Sequence, residues 1–418
     1  MTTAPHLLEA RPRLRPGVVL GPAVRSGAAL VHNVKDSRTG RYFQIGPREF
    51  FIVSRLDGST TLAEIGREYA TEFRRRLGEP QWKQILATLG SRQLLDGAGE
   101  VSGTESKAGS PAPSAERSLL NARITLVNPE TFFRNVQPRL RWVFSSYFMV
   151  CALIAILALE VTVVVKATSL LDEARQLWNA PVAGLAVVVI SWLTVALHEA
   201  AHGLTATHFG GSATEIGIMW RFPVLAPYCR VNDVLLFRRR RHRVYTAFAG
   251  VFAGLLALLP VVPVWLFAPP ESSLRHAASA LLVFGSLAAV ANFIPFLQLD
   301  GYFMLNHALG MQNLRIESYR FIGQLLRAPR RDGDSGVLAR QAAYPGRVRA
   351  IYVLYAAGSA LFGIALACWF VYSLFVALQG SLGAVRAGAV VAMAVAAVTF
   401  ALVTSQRRRR SKVDKPAT

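Results

Sequence analysis

The amino-acid sequence predicts a mostly α-helical, polytopic membrane protein of about six spans, with a small winged-helix-like α+β domain at its N-terminus. Three observations support this fold class. Of the 418 residues, 52% are hydrophobic and only 17% are charged, whereas soluble chains carry about 25% charged residues. Apolar runs of about 20 residues, enough to cross a bilayer, recur from residue 145 onward. The basic residues, which give a net charge of +21, cluster beside these runs.

Residues 15–98 are the predicted α+β domain, which we expect to be globular. The sequences ALVHNVKD (29–36) and RYFQI (41–45) are candidate strands around the turn DSRTG. Thr61 and Glu64 have the spacing of a capping box, in which each side chain satisfies a free backbone donor at a helix start. Three helices are predicted in this domain, at 47–56, 61–73 and 79–90.

Two connecting segments follow this domain. Residues 99–116 are rich in Gly, Ser and Pro, a composition that cannot bury a core and predicts a flexible linker. Residues 117–144 mix aromatic side chains with arginines. That mixture suits a membrane interface, where rings lie among headgroups and arginines meet phosphates, although an ordinary solvated connector is the alternative.

The predicted membrane domain covers residues 145–418. Basic residues crowd the connections at 209–244 and 301–349 and the tail after 404, while the intervening connections are nearly free of them. Positive charge stays on the cytosolic side, so we expect a multi-pass protein of the cell membrane with both termini in the cytosol. The six candidate spans are 147–166, 182–207, 245–267, 277–297, 351–377 and 384–404.

The basic clusters also indicate the kind of surface that the protein meets. A basic surplus is compatible with nucleic acid or with an anionic lipid surface. Here the clusters, such as RRRRHR at 238–243, directly flank apolar runs. We therefore expect the lipid bilayer as a partner and no nucleic acid.

The sequence HEAAH, residues 198–202, ends the second apolar run. Two histidines four residues apart on a helix point the same way, so His198 and His202 can share one zinc ion. Glu199 is then the expected general base for a water whose pKa the zinc lowers to about 7. HExxH also occurs by chance, but ionisable groups are costly in an apolar segment, which favours a functional site.

A catalytic zinc site usually has three protein ligands, and two residues compete for the third place. His208 lies six residues after His202, but the residue midway is Thr205 rather than the glycine that would turn the chain back. Asp300 ends the fourth apolar run, after Pro295 disrupts the helix, and the predicted topology brings it to the same side as HEAAH. We favour Asp300.

The two motifs together resemble the site-2 protease family of intramembrane zinc metalloproteases. That family pairs HExxH with an NxxPxxxLDG-type sequence, and NFIPFLQLDG at 292–301 matches it fully. The resemblance implies a Zn²⁺ cofactor and a metalloendopeptidase activity. It also implies roles for five residues: His198, His202 and Asp300 as metal ligands, Glu199 as general base, and Asn292 as a catalytic residue that positions substrate or stabilises the oxyanion.

A second resemblance concerns the N-terminal domain. YFQIGPREFFIVSRLDGSTTLAEI, residues 42–65, is similar to PqqD-like peptide-recognition domains. Such a domain joined to a protease core resembles the peptide zinc metalloproteases encoded beside ribosomally made, modified peptides. Arg230 stands where that subgroup often carries an acid, so the resemblance transfers no role to it.

These features predict zinc-dependent cleavage of a peptide bond at the membrane, in a peptide or protein precursor. Exporters or modifying enzymes are further expected partners. Tethered beside the active site, the N-terminal domain would raise the effective concentration of the scissile bond. A leader strand would pair with the edge of 29–34 or 41–45, near Tyr42 and Phe43. The alternatives are a domain that only packs against the membrane region, a non-proteolytic subunit for peptide export or presentation, or a regulatory protease that releases a membrane-anchored factor.

Overall fold

The structure is a computed structural model that describes residues 7–96, 121–127, 129–221, 224–326 and 344–394. The predicted linker at 99–116 and the tail after residue 394 lie outside the described residues. Contacts divide the chain into one unit formed by residues 1–317 and a second formed by residues 318–418.

The first unit begins with an antiparallel sheet of three strands in the order β1-β2-β3, followed by three helices. Both strands and all three helices expected from the sequence are present. Strand β1 was missed, because its Gly-Pro pair interrupts the pattern and the register shifts between Leu20 and Ala23. The elements are β1 (Val18–Ser26), β2 (Ala29–Asp36), β3 (Arg41–Ile45), α1 (Pro47–Val53), α2 (Leu62–Phe73) and α3 (Glu79–Ser91).

The helices of this region share one apolar core with the sheet. Leu62, Ile65 and Trp82 are almost completely buried there, and Phe43 and Ile45 of β3 pack against them. The capping box at the start of α2 is formed, because Thr61 accepts from the Glu64 backbone while the Glu64 carboxylate accepts from the Thr61 backbone. Its two hydrogen bonds satisfy donors that the helix start would leave free.

A second antiparallel sheet was not expected from the sequence. Its order is β4-β5-β6, with β4 (Asn121–Val127), β5 (Glu215–Arg221) and β6 (Val224–Arg230). Strand β4 lies in the segment 117–144, so part of that segment is a sheet strand. A short helix, α4 (Glu130–Val136), follows it.

Five helices of the described residues are long and apolar enough to cross a membrane. They correspond to the first five segments predicted from the sequence, with α8 and α9 together forming the third. Four further helices connect or follow them. The elements of this region are α5 (Ser146–Val165), α6 (Ala167–Arg175), α7 (Pro181–His208), α8 (Arg240–Leu258), α9 (Val261–Phe267), α10 (Ser273–Asn292), α11 (Asp300–Leu309), α12 (Leu314–Leu326), α13 (Gly346–Leu382) and α14 (Ala384–Ala394).

The sixth predicted segment, 384–404, is described only up to residue 394, as the short apolar helix α14. Helix α13 is the fifth candidate span and belongs to the second unit, where the hydroxyls of Tyr319 and Ser359 are hydrogen-bonded at 2.6 Å. The orientation of the helices in a membrane, with both termini in the cytosol, stays a prediction.

The fourth candidate span ends earlier than the sequence predicted. Helix α10 stops at Asn292, and Asp300 is the first residue of a new helix, α11, rather than the end of the span. Gly301, directly after the carboxylate, is the second residue of this helix. A Cβ on Gly301 would lie 2.4 Å from the Phe293 carbonyl oxygen. The glycine is therefore needed for close packing of α11 against the chain that leaves α10.

Candidate metal centre

Three side chains from two helices converge in the first unit. His198 and His202 lie one turn apart on α7, and Asp300 begins α11. One ligand atom from each lies within 4.8 Å of the other two, so this group could hold a metal ion. The third member is Asp300, as the sequence favoured, and not His208.

The separations between these atoms are close to those of a small tetrahedral site, and each imidazole lies near a different oxygen of the Asp300 carboxylate. His198 Nε2 lies 3.0 Å from Asp300 Oδ2 and 3.3 Å from His202 Nε2. His202 Nε2 lies 3.4 Å from Asp300 Oδ1. Ligand atoms arranged tetrahedrally at about 2.0–2.1 Å from zinc are about 3.3 Å apart. The donor set of two imidazoles and one carboxylate is also one that zinc accepts.

The backbone of α8 orients one of the three candidate ligands. His202 Nδ1 lies 2.7 Å from the Thr246 carbonyl oxygen. A carbonyl oxygen only accepts, so Nδ1 must carry the proton, and a neutral His202 presents the lone pair of Nε2 towards Asp300. A hydrogen bond of this type is the usual way in which a protein holds a metal-binding histidine.

Gly250 of α8 forms the wall beside the two imidazoles. A Cβ at this position would lie 2.5 Å from Nε2 of both His198 and His202. Real Cβ atoms do not approach a ring nitrogen so closely, and thus any larger residue would displace the histidines. The absence of a side chain leaves room next to the atoms that would bind a metal.

Glu199 points to a different neighbour from the two histidines. Its Oε2 accepts a hydrogen bond of 2.9 Å from the backbone N–H of Cys229 in β6. Two turns earlier on α7, Trp192 Nε1 donates to the Leu225 carbonyl oxygen at 3.1 Å. These bonds hold strand β6 along α7 and give the Glu199 carboxylate a defined position next to the metal-binding group.

Cys229 contributes its backbone and not its thiol. Burial, with a further contribution from the nearby Glu199 carboxylate, raises the pKa of the Cys229 thiol to about 12. The thiol is also not among the ligand atoms that converge with His198, His202 and Asp300. The sulfur instead packs close to Gly203 of α7, whose Cβ would lie 3.1 Å from it.

The remaining candidates do not belong to the group of three. Asn292 is at the end of α10, where its Nδ2 donates to the Ala288 carbonyl oxygen at 3.1 Å, and it lines the same cavity as His198. The His208 ring stacks on Phe144 with ring centroids 3.9 Å apart. Arg230 forms an ion pair of 3.1 Å with Glu215, which accounts for its charge without a catalytic role.

Asp233 joins the N-terminal sheet to the helical region. It lies in a short 3₁₀ helix, Asn232–Leu236, and is 6% exposed. Its carboxylate accepts hydrogen bonds from Lys35 Nζ at 2.7 and 2.8 Å, from the Ser212 backbone at 2.8 Å and from the Ser212 hydroxyl at 2.7 Å. The Tyr42 hydroxyl donates to the same carboxylate. Burial opposes ionisation, but these donors outweigh it and lower the pKa of Asp233.

A second set of contacts lies farther along the same sheet. Arg25 of β1 exchanges backbone hydrogen bonds of 2.9 and 2.8 Å with Gly310 and Gln312, and Gln44 of β3 donates to the Gln312 side chain at 2.9 Å. The N-terminal region therefore packs against the helical region. That packing is the alternative to a purely flexible tether that the sequence left open.

These contacts revise the expected docking edge for a peptide. The segment 29–34 is not an edge, because it belongs to β2, which pairs with strands on both sides. The segment 41–45 forms β3, at the end of the sheet. Tyr42 is engaged with Asp233, and Phe43 faces the domain core. Neither side chain is therefore free in the way that the sequence-based expectation required.

No family model, no curated protein and no solved structure matches this chain. The candidate site is therefore described by its geometry alone.

The sequence analysis missed several neighbours of the candidate ligands, namely Gly250, the Thr246 carbonyl and the Cys229 backbone N–H. Small residues in AFAGVFAG, residues 247–254, were the one available signal, since they indicate close helix packing.

Proposed function

We propose that this protein is a membrane-embedded zinc metallopeptidase that hydrolyses a peptide bond in a peptide or protein precursor. The observation that carries the proposal is the group formed by His198, His202 and Asp300, whose ligand atoms have separations that suit tetrahedral zinc. Glu199, adjacent in sequence, and the resemblance of HEAAH and NFIPFLQLDG to the site-2 proteases also support it.

The roles of the residues follow from their positions. A bound zinc ion would supply a Lewis acid and a water that ionises near neutral pH. Glu199 accepts the proton of the attacking water and later delivers it to the leaving amine. The Cys229 N–H keeps the Glu199 carboxylate in place. Asn292, on the wall of the adjoining cavity, donates to the substrate carbonyl or to the oxyanion that develops from it.

The test separates metal binding from turnover. Purified protein should hold about one zinc per chain, and Glu199→Gln should retain that zinc while losing peptide hydrolysis, since it removes a base and not a ligand. Zinc is measured by elemental analysis and cleavage by mass spectrometry of a membrane peptide library. Cleavage by Glu199→Gln at the wild-type rate would refute the assignment.

The substrate class is part of the proposal. The N-terminal domain resembles PqqD-like domains, and β3 is an edge strand that can receive an extended peptide by strand addition. We propose that the leader of a precursor pairs with β3 at 41–45. The expected result is that the fragment 1–100 binds the leader in a titration and that deleting it raises the KM for the full precursor but not for a leaderless core. Equal kinetics on both substrates would remove this role.

We further propose that both termini and the metal site face the cytosol. Arg238 to Arg241 and Arg243 lie at or just before the start of α8, where the positive-inside rule places the cytosolic end. A single cysteine at position 239 should react with a membrane-impermeant reagent only after the cells are opened. Strong labelling in intact cells would reverse the orientation.

A further inference from the structure

A cavity of about 170 Å³ opens beside the candidate metal centre, between α7, α8 and α10. His198 and Asn292 form part of its wall, so it is continuous with the place where the scissile bond would lie. The rest of the wall is mostly apolar or small. The lining residues that matter here are Val195, Val251, Gly254, Leu258, Phe284 and Ala288.

Two glycines shape this cavity in different ways. Gly285 permits close packing, because a Cβ there would lie 2.7 Å from Leu258 Cδ2. Gly254 is different, since a Cβ there would meet nothing within 4 Å. The space that Gly254 leaves open therefore belongs to the cavity and is not used by a neighbouring side chain.

Apart from Ser191, His198 and Asn292, the wall offers little to a polar group. The hydroxyl of Thr194, which also lines the cavity, already donates to the Ile190 carbonyl oxygen at 2.9 Å. A polar group that enters without a hydrogen-bond partner loses its hydration at a cost. Apolar cavities of about 150 Å³ hold a group the size of benzene, so this one is large enough for the side chain of Leu, Met or Phe.

We propose that this cavity receives one apolar side chain of the substrate, next to the scissile bond, and that Gly254 sets its depth. This inference rests on the proposed peptidase function and specifies its substrate class. The pocket selects peptides that carry an aliphatic or aromatic residue beside the bond that is cut, and excludes those with a charged residue there.

The experiment uses amino-acid hydroxamates, which bind zinc through the hydroxamate and carry one side chain next to it. Gly-, Ala-, Leu- and Phe-hydroxamate are titrated into full-length, zinc-loaded protein in detergent micelles, and binding is measured by calorimetry. Burial of a Leu or Phe side chain should make these ligands bind about 10- to 100-fold more tightly than Gly-hydroxamate. Gly254→Leu should abolish that preference without weakening Gly-hydroxamate, and Gly254→Ala should reduce it partly.

Gly363→Leu is the matched control. Gly363 is also a helical glycine whose Cβ would meet nothing within 4 Å, but it lies on α13, outside the cavity. This variant should keep the wild-type preference. Equal affinity for all four hydroxamates, or an unchanged preference in Gly254→Leu, would overturn the pocket even if the protein cleaves peptides. An intact preference without any peptide hydrolysis would support the pocket and refute the peptidase function.

Discussion

Two aspartates with little exposed surface, Asp233 and Asp300, differ in what surrounds them. Their side chains have similar exposures, 8% and 14%. Asp233 is surrounded by donors, since Lys35, Ser212 and Tyr42 all direct hydrogens at it. Asp300 faces two imidazole nitrogens at 3.0 and 3.4 Å, and its Oδ2 makes no hydrogen bond within the described part of the chain.

The difference separates a structural carboxylate from a candidate ligand. A buried charge is stable when donors or a cation compensate it. Donors within the protein compensate the charge of Asp233, and their hydrogen bonds connect the N-terminal sheet to the helices. Beside Asp300 the nearest atoms are the ring nitrogens of the two histidines, and His202 is oriented by the bond from Nδ1 to the Thr246 carbonyl oxygen. A cation bound between the three atoms would compensate this carboxylate.

The largest expected effect distinguishes the two aspartates by metal content. Asp300→Ala removes one of three ligands and should reduce zinc to a small fraction of one per chain after dialysis. Asp233→Ala should keep full zinc, because none of its contacts reaches the metal-binding group. Elemental analysis of both purified variants measures the contrast. Equal zinc in the two variants would show that Asp300 is not a ligand.

The next effect tests the space beside the imidazoles. Gly250→Ala places a methyl group 2.5 Å from both Nε2 atoms, so the histidines must move. We expect zinc affinity to fall about 10- to 100-fold, the range found when a neighbour of a metal ligand is changed. Competition with a chelator measures it. Gly363→Ala is the control, because its Cβ meets no atom within 4 Å. Unaltered affinity in Gly250→Ala would contradict the geometry.

What the sequence could predict depends on the range of the interaction. The five spans and the pairing of His198 with His202 follow from local patterns, namely apolar length and a four-residue spacing. Asp300 was favoured because its motif ends a later apolar run. Those predictions rest on residues that are near in sequence, or on a motif whose two parts can each be recognised without the other.

The missed features depend on long-range contact. Strand β4 pairs with β5 from about 90 residues away, and the strand sequence near residue 121 shows no partner by itself. Lys35 and Asp233 are 198 residues apart in the sequence. No local sequence pattern therefore predicts the role of Asp233. Gly250 gained a role only because α8 packs against α7 at the histidines. Hydrophobic pattern determines which helices pack, but not which atoms meet.

A smaller effect concerns the stability that the ion pair of Lys35 with Asp233 contributes. Asp233→Ala leaves the Lys35 ammonium, 12% exposed, and the Ser212 donors without their acceptor. Loss of one partner of a buried ion pair costs about 3–5 kcal/mol. Hydrogen exchange of β2 and β3 should show the loss as weaker protection. Asp172→Ala is the control, since Asp172 and Arg175 are 70% and 72% exposed and such pairs contribute about 0–1 kcal/mol. Equal losses of protection in the two variants would mean that the burial of Asp233 adds nothing to the stability of the sheet.

The smallest effect is the pH dependence of the stability that the same ion pair contributes. The pKa of Asp233 is lowered from 3.8 in the folded protein, so folding favours the ionised carboxylate. Its stabilisation is therefore fully present above the unfolded pKa of about 3.9 and is lost as the pH falls through the lower folded pKa. Burial and the Asp233 carboxylate raise the pKa of Tyr42, so this partner stays neutral in this window. Protection factors in β2 and β3, corrected for intrinsic exchange, should be constant from about pH 7 to 5 and decrease below about pH 4. At neutral pH the Asp233→Asn variant should show lower protection factors than the wild type. Its protection should then change little below about pH 4, because the amide cannot ionise. A decrease already complete at pH 5, or one of equal size in the Asn variant, would assign the acid sensitivity to another group.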